Sequence, residues 1–242
     1  TALLSTHTGG FQNYTFLDLI DELPKITRHW ESLGLQFDAI YTGYLGSERH
    51  IEFVCDFIDR FRTENTLVFV DPAMGDNGSL YPGFDRSYAL KMTQLCKKAD
   101  VIVPNLTEAV FMLGKDQVPE NCNPSYFEQI VLQLSELGIP KVLLTGASNS
   151  CNSLGVVYKN SETGEVDSYF KDRIPLHFHG TGDVFSSACV ASLISGCSLK
   201  ESAINAVDFT VDCIQSTLDD AEEHWYSVKF EQCLPKLIHR LQ

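Results

Sequence analysis

Two hydrophobic rhythms alternate along the chain. Short apolar runs rich in β-branched residues cover 37–41, 67–70, 101–103 and 142–144, and each stops at a turn signal: Thr42-Gly43, Asp71-Pro72, Pro104-Asn105 and Thr145-Gly146. Between them, 48–62, 85–98, 106–113 and 124–137 carry a helical period. Strands spaced by helices predict an α/β fold, a mainly parallel central sheet with helices on both faces. One interruption, 154–159 and 166–170 around the polar loop Asn160-Ser161-Glu162-Thr163-Gly164-Glu165, predicts a hairpin. Helices over about 183–195, 200–216 and 227–241 close the chain. The stretch 16–33 also reads as helical, with Pro24 marking a kink or a boundary between two shorter helices. No repeat, low-complexity tract or linker is visible, so residues 1–242 read as one domain.

Composition narrows the classes. Of 242 residues 44% are hydrophobic and 21% charged, which fits an ordinary globular chain and excludes fibrous or disordered architecture. Eighteen Lys+Arg against 32 Asp+Glu give a net charge of −14. That sign repels nucleic-acid backbones and anionic lipid, so neither is expected as a partner. A phosphate ligand remains open, because backbone N–H groups and a metal ion bind it locally. No apolar stretch approaches the roughly 18 residues that span a bilayer. The eight cysteines are dispersed without a C-x-x-C pair. They predict free thiols in a reducing cytoplasm rather than a disulfide or zinc framework. Thr1-Ala2-Leu3-Leu4 has no initiator Met and no basic n-region, and reads as a chain entered partway rather than as a signal peptide.

In open α/β sheets ligands bind beyond the carboxyl ends of the strands. There the chain places Thr42-Gly43-Tyr44, Asp71, Asn105 with Glu108, and Thr145-Gly146. Each alone has a plain structural reading, Asp-Pro as a turn and Asn before a helix as its N-cap. Together they predict one polar rim. The sharpest local signal is Gly180-Thr181-Gly182-Asp183 running into a helical segment. Glycines let backbone approach a ligand, and a helix start presents free N–H groups to phosphate charge. Asp183 itself is either an N-cap or a proton acceptor. His177-x-His179 could mark a metal pair, although a connector before a helix is a poor rigid platform.

Taken in order, Asp-Pro-x-Met-Gly from Asp71, Pro-Asn-x-x-Glu ending at Glu108, and Gly180-Thr181-Gly182-Asp183 resemble the ribokinase superfamily of small-molecule kinases. His7-Thr8-Gly9 and Thr42-Gly43-Tyr44-Leu45-Gly46 resemble its pyridoxal kinase branch, and the likeness extends over essentially the whole chain. The resemblance implies a ribokinase-like fold and ATP-dependent phosphorylation of the 5′-hydroxymethyl group of pyridoxal, pyridoxine or pyridoxamine. It makes Asp183 the general base and the backbone of Gly180, Thr181 and Gly182 the anion hole for the γ-phosphate. Asp71, Asp76 and Glu108 match acidic positions that organise Mg2+, directly or through water, and that help to place a monovalent cation. Asn105, Thr145 and Gly146, with Thr181, match ATP contacts. Thr8 and Tyr44 match residues that touch the pyridine ring, by hydrogen bond and by packing respectively. A homodimer is implied as well.

Two positions depart from the pattern: Val103 stands where relatives often carry Thr, and His179 where some bacterial relatives carry Cys. The likeness begins after the family's first strand and helix, so the natural chain is expected to be longer and this one to lack that βα unit. Two alternatives stand beside this reading. One is hydroxymethylpyrimidine kinase, whose members usually have Cys where Asp183 stands. The other is a non-catalytic vitamer- or nucleotide-binding protein, which has no need for a base at Asp183.

Overall fold

The computed structural model describes residues 3–6, 11–119 and 122–242. Leu3–Ser5 (β1) and Phe16–Asp18 (β2) pair as an antiparallel ribbon. There follow helix Leu23–Ser32 (α1), strand Ala39–Thr42 (β3), helix Glu48–Phe61 (α2) and strand Leu67–Val70 (β4). A second small ribbon, Gly75–Asp76 (β5) with Ser79–Leu80 (β6), precedes helix Arg86–Cys96 (α3), strand Val101–Ile102 (β7) and helices Leu106–Met112 (α4) and Pro124–Glu136 (α5). The chain closes with strands Lys141–Ala147 (β8), Ser153–Asn160 (β9) and Val166–Asp172 (β10), then helices Thr181–Ile194 (α6), Leu199–Thr217 (α7) and Leu234–Arg240 (α8).

The main sheet runs β3-β4-β7-β8-β9-β10. Its first four strands are parallel, and β9 and β10 are antiparallel additions forming the expected hairpin. Side chains alternate between two cores, as the period of two requires. Val68, Val70, Ile102, Val142 and Leu144 face the layer of α2, α3, α4 and α5. Phe69, Val101 and Leu143 face the layer of α6 and α7. Burying each such side chain contributes roughly 1.5–3 kcal/mol, which is why these short runs were strongly patterned.

Two expected helices differ. Residues 16–33 are not continuously helical: Phe16–Asp18 pairs with β1, the Asp18 carboxylate accepts from the Ile20 N–H at 2.8 Å, and α1 begins only at Leu23. Pro24 lies in the first turn of α1, where its missing N–H costs nothing, and so marks a start rather than a kink. At the far end, 227–241 is not one helix. Pro235 cannot donate to a preceding turn, and the chain passes through a short 3-10 segment at Glu231–Cys233 before α8. All eight cysteines are free, and no described helix is long and apolar enough to cross a membrane.

Candidate active site

The parallel strands deliver the rim at their carboxyl ends, knit by backbone bonds. The Asp71 N–H donates to Thr42 O at 2.8 Å, Val103 N–H to Val70 O at 3.0 Å, and Thr145 N–H to Pro104 O at 2.9 Å. Val103 packs within the core on the α6 side, so no hydroxyl replaces the expected threonine there.

Asp71 is 8% exposed and accepts from the Ser186 hydroxyl at 2.9 Å. Burial pushes its pKa up to about 7; the Ser186 bond opposes this and the Asp183 charge adds to it. Glu108 is buried too, and its carboxyl is raised by burial and by Asp71. Its oxygens accept from Asn105 N–H at 2.8 Å and Met74 N–H at 3.1 Å, while Asn105 Oδ1 accepts from Glu108 N–H at 3.0 Å. This is a reciprocal capping box at the start of α4. The Asn105 amide also donates to Gly75 O at 2.8 Å, tying the β5–β6 ribbon to the rim. Gly75 is obligatory there, since a Cβ would meet Ser79 O at 2.6 Å.

Asp183 is the third residue of α6, and the N-cap is Gly180 in the left-handed region at φ 79. The capping role therefore does not fall to Asp183. Its carboxylate is reached by solvent yet crowded by protein, and that desolvation raises its pKa. A Cβ on Gly182 would meet no atom within 4 Å, so the space beside this position in the first turn is open. Gly146 stands at a bulge after Thr145 with φ 70, turning its backbone toward the same rim.

Asp76 sits in the β5–β6 ribbon, its oxygens held by the Asn77 backbone at 2.8 Å and side chain at 3.0 Å. Tyr44 is exposed and packs against Phe84, ring centres 5.5 Å apart. Thr8, with His7 and Gly9, lies outside the described residues. Two tyrosines were not anticipated. The Tyr81 phenol is raised in pKa by burial and then by the charges of Glu108, Asp76, Asp71 and Asp183. Tyr41 is raised by burial, Asp71 and Asp183, with the Ser186 and Ser187 hydroxyls opposing. Nothing in the linear order relates these phenols to the acids; only the sheet does.

Among the described residues, no group of three or more His, Cys, Asp or Glu side chains is disposed to hold a metal ion by itself. His177 and His179 face each other edge-on at 5.8 Å between ring centres. The acidic set instead fits a phosphate-borne Mg2+, which keeps waters and takes only one or two carboxylates from protein. Asp71 and Glu108, both raised first by burial and then by a neighbouring carboxylate, are the natural groups to face it. Such an arrangement can bind an anion at the α6 start, hold a cation against buried acids, and take a proton at Asp183.

The family model of phosphomethylpyrimidine kinase matches residues 23–226. A pyridoxine kinase of Bacillus subtilis is 31% identical over 188 residues, covering 76% of this chain and 66% of its own length. The chain spans 56–66% of the length of the curated relatives it matches first. A Bacteroides thetaiotaomicron protein assigned to phosphomethylpyrimidine kinase and crystallised with pyridoxal superposes with a TM-score of 0.91 at 34% identity, over 98% of this chain and 83% of that one. The pyridoxal kinase of Lactobacillus plantarum superposes at 0.87 with 28% identity, again over 98% and 83%.

Proposed function

The chain belongs to the phosphomethylpyrimidine kinase family, and from that premise we propose that it transfers the γ-phosphoryl group of ATP to the 5′-hydroxymethyl group of a B6 vitamer. The observation that carries this is the pairing of an exposed carboxylate, Asp183, with a helix start capped by Gly180 in the left-handed region and lacking a side-chain cap. In the reaction Asp183 takes the proton of the alcohol as its oxygen bonds to the γ-phosphorus, and ADP leaves with the bridging oxygen. General-base help of this kind is worth about 10²–10⁴-fold. The backbone N–H groups of Gly180, Thr181 and Gly182 bind the transferring group's oxygens, which concentrates stabilisation where charge develops.

Asp71 and Glu108, with Asp76, would hold Mg2+, which would supply charge neutralisation to the phosphate oxygens. Asn105, with part of its amide committed to Glu108 and Gly75, contributes its remaining polar capacity to the nucleotide beside Thr145 and Gly146. Thr8 and Tyr44 serve the pyridine ring. A monovalent cation, a homodimer, a cytoplasmic setting and one domain over 1–242 complete the reading. The eight free thiols are consistent with the cytoplasm.

Hydroxymethylpyrimidine is the second candidate substrate, favoured by the family's name and by 26% identity to a Bacillus subtilis hydroxymethylpyrimidine/phosphomethylpyrimidine kinase. An ADP-release assay with pyridoxal, pyridoxine and hydroxymethylpyrimidine separates the readings. Faster turnover of the pyridines is expected. Turnover of the pyrimidine alone refutes the B6 assignment, and no turnover of any alcohol refutes the kinase.

A further inference from the structure

Aromatic side chains gather beside the start of α6. The Trp225 ring lies 4.9 Å from Phe11, tilted 31°, and 6.0 Å from Tyr226 at 90°. On another side Trp225 meets His179 edge-on at 6.4 Å, and His179 immediately precedes Gly180. Two residues further, Ser227 Oγ sits 4.0 Å from where a Cβ on Gly180 would be. Trp225 therefore joins the segment between β1 and β2, which carries Phe11, to the helix start that carries Asp183. Trp225 stays 42% exposed.

The sheet order says which ligand that ring meets. Thr145 and Gly146 belong to β8, and β3 lies three strands away, about 14 Å at ~4.8 Å per strand. The β1–β2 ribbon rests on the β3 side. A Cβ on Gly46 would meet the Leu3 and Phe16 side chains at 3.2 Å, and His50 of α2 lies 3.0 Å from the Asp18 carboxylate. The start of α6 stands on this side as well: Ser186, three residues after Asp183 on the same helix, donates to the Asp71 carboxylate after β4 at 2.9 Å. A nucleotide running from Thr145 to a last phosphate at Gly180 leaves the β3 end to the alcohol.

Resting on the kinase reading above, we propose that Trp225, backed by Phe11, is a specificity-determining wall against which the flat ring of the hydroxymethyl substrate packs. An indole face attracts a planar heterocycle beyond simple area burial, by a factor of roughly 2–12 in affinity. A puckered sugar alcohol lacks the π-face that stacks on it, so the wall favours flat heteroaromatic alcohols.

The chain has two tryptophans, and Trp30 packs on Phe37 and Phe57, apart from the aromatics beside α6. In the Trp30→Phe protein Trp225 is the only indole. Pyridoxine, which has no aldehyde to react with lysine, should quench its emission saturably without nucleotide, whereas ADP alone should not. Trp225→Ala should raise KM for pyridoxine about 3- to 10-fold with kcat within about twofold and KM for ATP unchanged. Trp225→Phe, which keeps the packing on Phe11, should fall between the two and carries the test if the alanine variant fails to fold. Quenching by ADP but not pyridoxine, or a wild-type KM for pyridoxine in both variants, overturns the proposal. Loss of the kinase reading is seen separately, as absent turnover by the wild-type protein, while the quenching experiment still decides whether Trp225 meets the ring.

Discussion

Asp71→Asn should stabilise the protein at pH 8 and not at pH 5. In the fold the Asp71 carboxyl titrates near 7, against an ordinary 3.8, because it is buried. That gap, at about 1.36 kcal/mol per factor of ten in proton affinity, means that ionised Asp71 costs the fold about 4 kcal/mol above pH 7. The folded state holds the proton more tightly than the unfolded one, so stability falls as pH rises from about 4 through about 7. Asparagine carries no such charge and can still accept from Ser186, but its buried NH2 group costs roughly 1–3 kcal/mol if unpaired. The net is a gain of about 1–3 kcal/mol at pH 8 and little change, or a loss, at pH 5. At roughly 2–4 °C per kcal/mol for a chain of this size, the Tm difference between variant and wild type should swing by about 5–10 °C across that interval. Calorimetric melts at the two pH values read it directly. A variant less stable than wild type at both, by the same amount, would show that Asp71 is not held as a strained buried acid.

The other expectations concern the helix start and its partners. Asp183→Asn should lower kcat by about 10²–10⁴-fold while calorimetric ADP binding stays within a few-fold; near-normal turnover removes Asp183 from the base role. Because desolvation raises the Asp183 pKa and the base must be ionised, kcat should fall on the acid side with a midpoint above 3.8; a pH–rate profile flat down to 4 contradicts this. Gly180→Ala places a side chain at φ 79, costing about 1–3 kcal/mol of strain and displacing the N–H groups. Its kcat should drop by on the order of 10²-fold, and wild-type kinetics would mean that the anion does not bind there. Ser186→Ala removes the one side-chain bond that opposes the rise at Asp71, so the pH 8 instability should deepen relative to wild type in the same melts.

The framework was legible because a parallel sheet buried on both faces leaves an unmistakable record. Val68, Phe69, Val70, Val142, Leu143 and Leu144 have no polar side to blur the run. The strand ends followed from the same record, and with them Thr42, Asp71, Asn105 and Thr145. The small ribbons were not seen, since two or three residues carry no period. Asn77-Gly78, with φ 50 and 80, was nevertheless a readable two-residue hairpin turn inside the Asp71–Tyr81 stretch. At 16–33 the spacing of Phe16, Leu17, Ile20 and Leu23 imitates a helix, but the first two are exposed on the ribbon and only the last two are buried. Tyr41 and Tyr81 were hidden for a different reason. Their relation to Asp71 and Asp183 exists only after β3, β4 and the β5–β6 ribbon are brought side by side.

The disposition of charge bears on how such a site is filled. Lys and Arg side chains form ion pairs across the surface, yet among the described residues none of those pairs includes Asp71, Asp76, Glu108 or Asp183. A chain with net charge −14 thus holds four acids around one cleft without offsetting them from its own basic residues. Burial raises the pKa values of Asp71, Glu108 and Asp183, and at Asp71 and Glu108 a neighbouring carboxylate adds to it with no basic side chain to oppose it. On the kinase reading, a bare nucleotide polyanion would meet a repulsive field on approach, relieved at the proposed anion site of Gly180–Gly182. On the same reading Asp71 and Glu108 would face a cation carried by the phosphates, whose charge would favour their ionised forms. On the kinase reading, the uncompensated acids act as a filter: they admit the nucleotide with its metal and disfavour it without. A lysine placed among them would relieve the strain and blunt that discrimination.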